Sequence, residues 1–224
     1  MIDVVPAIIP DSFETLSEKA ERVRELVPRV QIDIANGSYA PTRTWPYTND
    51  GHIARLLSQD EGLPFWEDLS YEVDMLVRNP EDVLDQWIDI GVDAVIIHIE
   101  STSEHSLILQ KARERNVEIG WALKPSTPNQ TLFDIIESAG MPNFIQVMGS
   151  DTIGHSGVEL DEVVYEKIAD IRAMYPELPI AVDIGVNEDT ATALIDAGAT
   201  KLVAGSAIFE APDVREAIEQ LENL

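Results

Sequence analysis

The sequence predicts an α/β protein whose fold class is a TIM (β/α)8 barrel. Segments with strand and helix patterns alternate about eight times along the chain. The predicted strands are almost uninterrupted apolar runs, as expected for parallel strands that are covered on both faces. A chain of 224 residues lies near the lower end of the usual barrel size. A doubly wound open sheet is the alternative, although no glycine-rich dinucleotide-binding motif follows the first strand.

Short apolar runs between polar or glycine-containing segments predict the strands. The first run closes on Pro10, and the second alternates apolar and polar residues before the turn pair Asn36-Gly37. No linker or change in composition divides the chain, so we expect a single domain over residues 1–224. The predicted strands are residues 4–10, 30–34, 71–77, 93–100, 117–123, 143–148, 180–185 and 201–205.

The helices are predicted from amphipathic stretches with recognisable ends. Asp11-Ser12 opens the first helix, Pro80 stands in the first turn of the third, and glycines follow two others. The long segment before the second helix, with its tyrosines and tryptophan, is either a binding loop or a surface excursion packed by its own aromatics. The predicted helices are residues 11–26, 52–57, 81–90, 104–114, 130–138, 161–174, 188–196 and 212–222.

Charge and composition exclude several classes of function. Fifteen basic and 41 acidic residues give a net charge of −26, which repels nucleic acids and anionic membrane surfaces. A phosphorylated ligand must therefore be held by local backbone N–H groups. The chain has no cysteine, no basic leader, and no apolar run near the roughly 18 residues that cross a bilayer. We expect a soluble, cytoplasmic protein with no nucleic-acid or membrane partner.

Acidic side chains stand at the ends of several predicted strands, where a barrel places its chemistry. Asp33 ends the second strand, Asp74 lies late in the third, and Asp183 lies near the end of the seventh. Like charges at one mouth repel, so they require a metal, another cation or a shared proton. The alternative for each aspartate alone is a capping or loop-bonding role. His98 and Lys124 also lie at strand ends. His98 is either a hydrogen-bonded barrel residue or a ligand, and Lys124 is a candidate Schiff-base lysine.

Glycines cluster after the last three strands. Gly185 and Gly205 each precede a helical segment, and Ser206 follows the second of them. The loop after the sixth strand adds Gly154 and Gly157. Bare backbone N–H groups at such positions can approach a phosphate, and phosphate binding after strands 7 and 8 recurs in barrels. The cluster therefore predicts a phosphate site.

An ordered set of motifs carries a family resemblance over nearly the whole chain. PAIIP, QIDIANGSYAP, YEVDMLVRNP, HIE, ALKPSTP, VMGS, VDIGV and VAGSAIF occur in sequence order. In their order and spacing they resemble the ribulose-phosphate 3-epimerase family. The resemblance implies a metal-assisted barrel that inverts carbon 3 of a pentulose 5-phosphate through an enediolate, as part of the pentose phosphate pathway.

The resemblance also implies residue roles. The acid/base pair falls on Asp33 and Asp183, and the family's two metal-binding histidines fall on Gln31 and Asp74. The implied metal ligands are Gln31, Asp33, Asp74 and Asp183. All of them offer oxygen atoms, which suit Mg or Mn better than Zn or Fe; the alternative is that the protein binds no metal. The substrate would contact Met148 and Ala7, the latter standing where the family has a serine, together with Gly154, Gly157, Gly185, Gly205 and Ser206.

Three hypotheses follow for the function. The first is an epimerase that converts D-ribulose 5-phosphate to D-xylulose 5-phosphate by proton transfer between two aspartates. The second keeps the phosphate site but changes the reaction to another sugar-phosphate isomerisation, a lyase or a decarboxylase. The third is a sugar-phosphate-binding protein that has lost its metal and its activity. All three predict a small phosphorylated sugar as ligand, and we expect a homo-oligomer.

Overall fold

A computed structural model describes residues 2–48, 51–58 and 62–224. Its eight strands form one closed parallel barrel in sequence order, in which β1 also pairs with β8. The predicted TIM barrel is therefore confirmed. The strands are β1 (Asp3–Ile8), β2 (Arg29–Ala35), β3 (Ser70–Leu76), β4 (Ala94–His98), β5 (Glu118–Leu123), β6 (Phe144–Met148), β7 (Ile180–Asp183) and β8 (Lys201–Ala204).

Helices cover the outside of the barrel and connect successive strands. The α-helices are α1 (Phe13–Val23), α2 (His52–Leu57), α3 (Leu84–Ile90), α4 (His105–Arg115), α5 (Asn129–Ala139), α6 (Val163–Met174), α7 (Glu188–Ala197), α8 (Ser206–Phe209) and α9 (Val214–Glu222). A 3-10 turn at Pro80–Asp82 precedes α3, so the predicted helix over residues 81–90 is wrong in its first turn. The helix predicted from residue 11 begins after Ser12, whose side chain caps it by accepting from the Thr15 N–H.

The core has two layers that follow from strand alternation. On β1, Val4 and Ile8 point outward under the helices, whereas Val5 and Ala7 point into the barrel. The barrel interior is filled largely by small or branched side chains, as in other TIM barrels. Across the described residues, no helix is long and apolar enough to span a membrane.

A buried ion cluster closes the amino-terminal end of the barrel. Lys201, the first residue of β8, contacts the carboxylate of Glu72 on β3, and Arg29 of β2 lies 3.6 Å from the same oxygen. The Lys201 ammonium also lies 4.4 Å from the centre of the Phe144 ring. Glu72 is fully buried, and Lys201 is 6% exposed. Glu72 stands two residues before Asp74 on β3, so it shares the inward face of Asp74 but lies one step closer to the amino-terminal end of the barrel.

The long segment after β2 packs largely on itself and on neighbouring helices. The buried ring of Trp45 contacts the rings of Phe13, His52 and Trp87. This favours the packed-excursion alternative for that part of the segment. Tyr39 instead reaches the mouth, where its ring lies 5.2 Å from that of His98.

Candidate active site

A cavity of about 360 Å³ opens at the carboxyl ends of the strands. Asp33 of β2 and Asp183 of β7 lie on its floor, because both strands direct these residues into the barrel near their ends. The predicted substrate contacts also line it: Ala7, Met148, Gly154, Gly157, Gly185, Gly205 and Ser206. Barrel closure thus brings all of these predicted residues to one cavity.

Three buried aspartates meet beside this floor. Oxygen atoms of Asp33, Asp74 and Asp183 all lie within 4.8 Å of one another. Asp33 and Asp74 are direct partners in the β2–β3 register, so their side chains leave the sheet on the same face. The predicted meeting of three strand-end aspartates is therefore correct. Such a cluster of like charges requires protons or a cation.

Gln31 connects two of the three carboxylates. Its side-chain Nε2 donates to Asp33 Oδ1 at 2.9 Å and to Asp183 Oδ2 at 3.3 Å. Gln31 precedes Asp33 by two positions on β2, which places both side chains on the inner face. The Gln31 Oε1 atom is buried and has no hydrogen-bond partner among the described residues.

Asp74 is held by two different donors. His98 Nε2 lies 3.0 Å from Asp74 Oδ1, and Gln146 Nε2 donates to Asp74 Oδ2 at 3.2 Å. His98 is thus a hydrogen-bonded barrel histidine, one of the two readings that its position allows. Sequence reasoning missed Gln146, although it stands two residues before Met148 on β6 and so shares its inward face.

Burial and mutual repulsion shift the acidity of the cluster. Burial first, and then the charge of Asp74, raise the pKa of Asp183 to about 7. Burial, followed by the charges of Asp183 and Asp74, raises the pKa of Asp33 well above its usual range. Gln31 opposes both shifts by donating to the ionised forms. The pair can therefore hold a proton near neutral pH, as an acid/base pair must.

The glycine cluster forms the other end of the cavity. Gly185 has φ +74°, and a Cβ atom there would lie 2.7 Å from the backbone N of Leu160. Gly205 lies against β1, where a Cβ atom would come within 3.3 Å of the Ala7 carbonyl. Within the described part of the chain, the backbone N–H groups of Gly185, Gly205 and Ser206 have no hydrogen-bond acceptor. This end can therefore take an oxyanion through the backbone.

Comparison with known proteins places the chain in a family. The sequence model of the ribulose-phosphate 3 epimerase family matches residues 3–209. The chain belongs to this family. A ribulose-phosphate 3-epimerase of Schizosaccharomyces pombe is 33% identical over 98% of this chain and 92% of that protein. The Bacillus subtilis protein of the same name is 28% identical over 99% of this chain and 98% of its own. These matches favour the epimerase expectation over the other hypotheses.

Solved structures agree at the level of the fold. A 3-hexulose-6-phosphate synthase from Salmonella typhimurium superposes with a TM-score of 0.70 at 15% identity, covering 99% of this chain and 97% of that one. An orotidine 5'-monophosphate decarboxylase from Sulfolobus solfataricus gives 0.63 at 14% identity, covering 100% and 97%. At such identities the likeness concerns the barrel and not the reaction.

The residues at the family's metal position fit a hard divalent cation. Asp33, Asp74 and Asp183 offer carboxylate oxygens, and the unpartnered Oε1 of Gln31 is a fourth oxygen in the same buried cluster. The three buried carboxylates have four neighbouring donor groups: the side-chain amides of Gln31 and Gln146, the His98 imidazole and the Ile184 N–H. Ionising all three carboxylates together is still costly, and a cation would offset that cost. Oxygen ligands of this kind suit Mg, Mn or Ca.

Two further polar side chains, Lys124 and His155, lie near the rim. Lys124 places its ammonium 4.5 Å from the centre of the Tyr39 ring, and the Tyr39 hydroxyl donates to Glu100 Oε2 at 3.1 Å. Lys124 is not among the described residues that line the cavity, so a Schiff-base role has no geometric support. His155 is exposed on the loop after β6 and lines the cavity at its edge.

Proposed function

We propose that this protein epimerises carbon 3 of a ketose phosphate, converting D-ribulose 5-phosphate to D-xylulose 5-phosphate. The observation that carries the proposal is the position of Asp33 and Asp183 on separate strands of one cavity whose other end is formed by glycines. An epimerase of this kind needs two proton carriers and a fixed phosphate. Membership of the ribulose-phosphate 3 epimerase family supports the same reaction.

The two aspartates would exchange protons with the substrate. One carboxylate removes the proton from carbon 3, and the neighbouring carbonyl takes up the electron pair to give an enediolate. The other aspartate, in its acid form, returns a proton to the opposite face of the same carbon. Proton exchange with solvent then resets the pair. A pKa of about 7 for Asp183 supports this division, because one proton is then shared near neutral pH.

A divalent cation would be held by Asp33, Asp74, Asp183 and the Oε1 atom of Gln31. When bound, it supplies positive charge that stabilises the developing negative charge on the substrate oxygens. Mg or Mn is the proposed ion, because every ligand atom is oxygen. His98 and Gln146 would orient Asp74 through their hydrogen bonds to its two oxygens.

The phosphate would bind at the glycine end. The proposed contacts are the backbone N–H groups of Gly185, Gly205 and Ser206, with Gly154 and Gly157 on the facing loop. Met148 and Ala7 would contact the carbon chain of the sugar between the phosphate and the aspartates. When the phosphate is held in place, carbon 3 lies over the two carboxylates. The binding energy of the phosphate then orients the substrate for proton transfer.

The domain organisation, assembly, location and ligand are also proposals. We propose a single domain over residues 1–224, assembly into a homo-oligomer, and a cytoplasmic location, which the absence of cysteine supports. A small phosphorylated sugar is the proposed partner.

The test is proton exchange at carbon 3 followed by NMR in deuterated water. Wild-type protein with Mg or Mn should convert D-ribulose 5-phosphate and place deuterium at that carbon. Asp33→Asn and Asp183→Asn should each lower kcat by about 100-fold to 10,000-fold, whereas the exposed control Asp196→Asn should not. Full activity of either variant contradicts the two-aspartate mechanism. Turnover of other phosphorylated ketoses or sugar acids instead would indicate a different reaction.

A further inference from the structure

One cation reaches the phosphate end of the cavity from outside the glycine loops. Lys19 of α1 lines the cavity together with Gly205, Ser206 and Phe209. Among the described residues it is the only lysine or arginine that does so. The side chain is half-buried, and its ammonium lies 5.1 Å from the centre of the Phe209 ring. A chain with net charge −26 therefore places a positive group at this end.

Barrel closure and helix geometry explain how Lys19 gets there. The β1–β8 pairing puts the helix after β1 next to the segment after β8, although they are far apart in sequence. The amino end of α1 faces the mouth, because the helix leaves the carboxyl end of β1. Side chains on a helix lean toward its amino end. Lys19 thus leans toward the cavity.

The surroundings leave a role for this charge. Glu210 also lines the cavity and repels an anion, and its charge acts on Lys19. Burial, and then repulsion by Arg22, lower the pKa of Lys19. An anion beside the ammonium would relieve this partial desolvation and offset Glu210.

We propose that Lys19 binds the substrate phosphate and makes the site selective for phosphorylated over unphosphorylated ketoses. This inference rests on the proposed function, because it assumes that the phosphate lies at Gly205 and Ser206. The backbone N–H groups orient the phosphate, and Lys19 supplies the positive charge that neutral amides lack. A dianion gains more from it than a neutral hydroxyl group does.

Arg22 provides a matched control. It lies one turn further along α1, its guanidinium lies 5.6 Å from the same Phe209 ring, and it donates to the Phe209 carbonyl at 3.0 Å. It lines a separate surface groove with Glu21 and Asp213, not the cavity. Loss of Arg22 therefore removes a similar charge and its contact with Phe209, but no group that itself lines the cavity.

The experiment compares Lys19→Gln with Arg22→Gln in the full chain. For D-ribulose 5-phosphate, Lys19→Gln should raise KM roughly ten-fold with kcat nearly unchanged, and Lys19→Arg should recover most of the loss. Turnover of D-ribulose, which lacks the phosphate, should be the same in all variants. If Lys19→Gln behaves like Arg22→Gln, the inference is overturned.

A second measurement separates this inference from the proposed function. Inorganic phosphate binding, followed by calorimetry, should weaken roughly ten-fold in Lys19→Gln and stay unchanged in Arg22→Gln. If the wild-type protein binds phosphate in this way but turns over no ketose phosphate, the proposed reaction fails and the role of Lys19 stands. The inference fails if turnover is normal but Lys19→Gln binds phosphate as tightly as the wild-type protein does. It also fails if the wild-type protein binds no phosphate.

Discussion

The side-chain amide of Gln31 lies 3.3 Å from the carboxylate of Asp183, so that strand β2 reaches strand β7 across the mouth of the barrel. Because Nε2 makes this contact, Oε1 has no hydrogen-bond partner in the described part of the chain. Amide oxygen and nitrogen are interchangeable by a half turn of the side chain. Gln31 can thus donate its N–H groups to the carboxylates when no cation is bound. When a cation is bound, it can turn its oxygen toward that cation.

Gln31→His should change the metal preference of the site. An imidazole favours Zn or Fe more than an amide oxygen does, so the ratio of the Mn to the Zn dissociation constant should rise at least roughly ten-fold. Calorimetry on the metal-stripped protein measures both constants. The exposed Gln130→His variant, on α5, is the control for an added histidine. An unchanged ratio would show that Gln31 does not contact the ion.

Asp183→Asn should stabilise the metal-free protein, and more so as the pH rises. The folded-state pKa of Asp183 is raised from its ordinary value of 3.8 to about 7, so the folded state holds the proton more tightly than the unfolded chain. Wild-type stability is therefore lost between about pH 4 and pH 7 relative to the variant. The difference should reach a few kcal/mol at about 1.4 kcal/mol per pKa unit, and level off above pH 7.

Urea unfolding of the metal-stripped proteins at several pH values measures this difference. Asp196→Asn, on an exposed position of α7, should show no such trend. Added Mn should reduce or reverse the difference, because the cation stabilises the ionised carboxylate. A difference independent of pH would mean that Asp183 titrates normally in the folded protein.

Gly185→Ala should damage substrate binding as well as stability. The residue has φ +74°, and the new Cβ atom would lie 2.7 Å from the Leu160 backbone N. We expect a loss of about 1–3 kcal/mol in the free energy of unfolding and a higher KM for the sugar phosphate. Gly91→Ala is the control, since Gly91 has φ +100° but no atom within 4 Å of the new Cβ. It should lower stability and leave KM unchanged; equal effects on KM would place the phosphate elsewhere.

The sequence was sufficient for the barrel and for the residues that stand at strand ends. Apolar runs locate the strands, and a period of two then tells which side chains share a face, as for Asp33 and Gln31. Lys19 and Gln146 were missed for different reasons. Gln146 follows the same alternation as Met148 and was open to prediction. Lys19 reaches the cavity only through the closure of β1 on β8, a contact that no local pattern encodes.

The sequence also did not predict where the backbone departs from regular strand geometry at the end of β7. Strand β7 ends at Asp183, two residues earlier than predicted, because Ile184 has φ 77° and Gly185 has φ 74°. A β-branched residue rarely adopts this conformation. The turn lets the Ile184 N–H donate to Asp183 Oδ1 at 2.8 Å, which holds the carboxylate in place. Positions under such constraint are where sequence patterns are least informative.

Lys201→Met should destabilise the fold. The change removes the closest partner of Glu72, which is fully buried, and leaves Arg29 at 3.6 Å as its nearest remaining cation. Breaking one side of a buried ion pair costs about 3–5 kcal/mol, because the other charge stays buried. The free energy of unfolding should fall by that order. KM should stay nearly unchanged, because neither Lys201 nor Glu72 lines the cavity.

The double variant Glu72→Gln with Lys201→Met separates charge from packing. Burial raises the pKa of Glu72, and Lys201 and Arg29 oppose that shift, so removing Lys201 should raise the pKa further. The single variant should then lose more stability at pH 8 than at pH 5, because at pH 5 the unpaired carboxyl takes up a proton. The double variant should be more stable than the single one and nearly independent of pH over this range. Equal losses in both variants would assign the role of Lys201 to its packing against Phe144 and not to its charge.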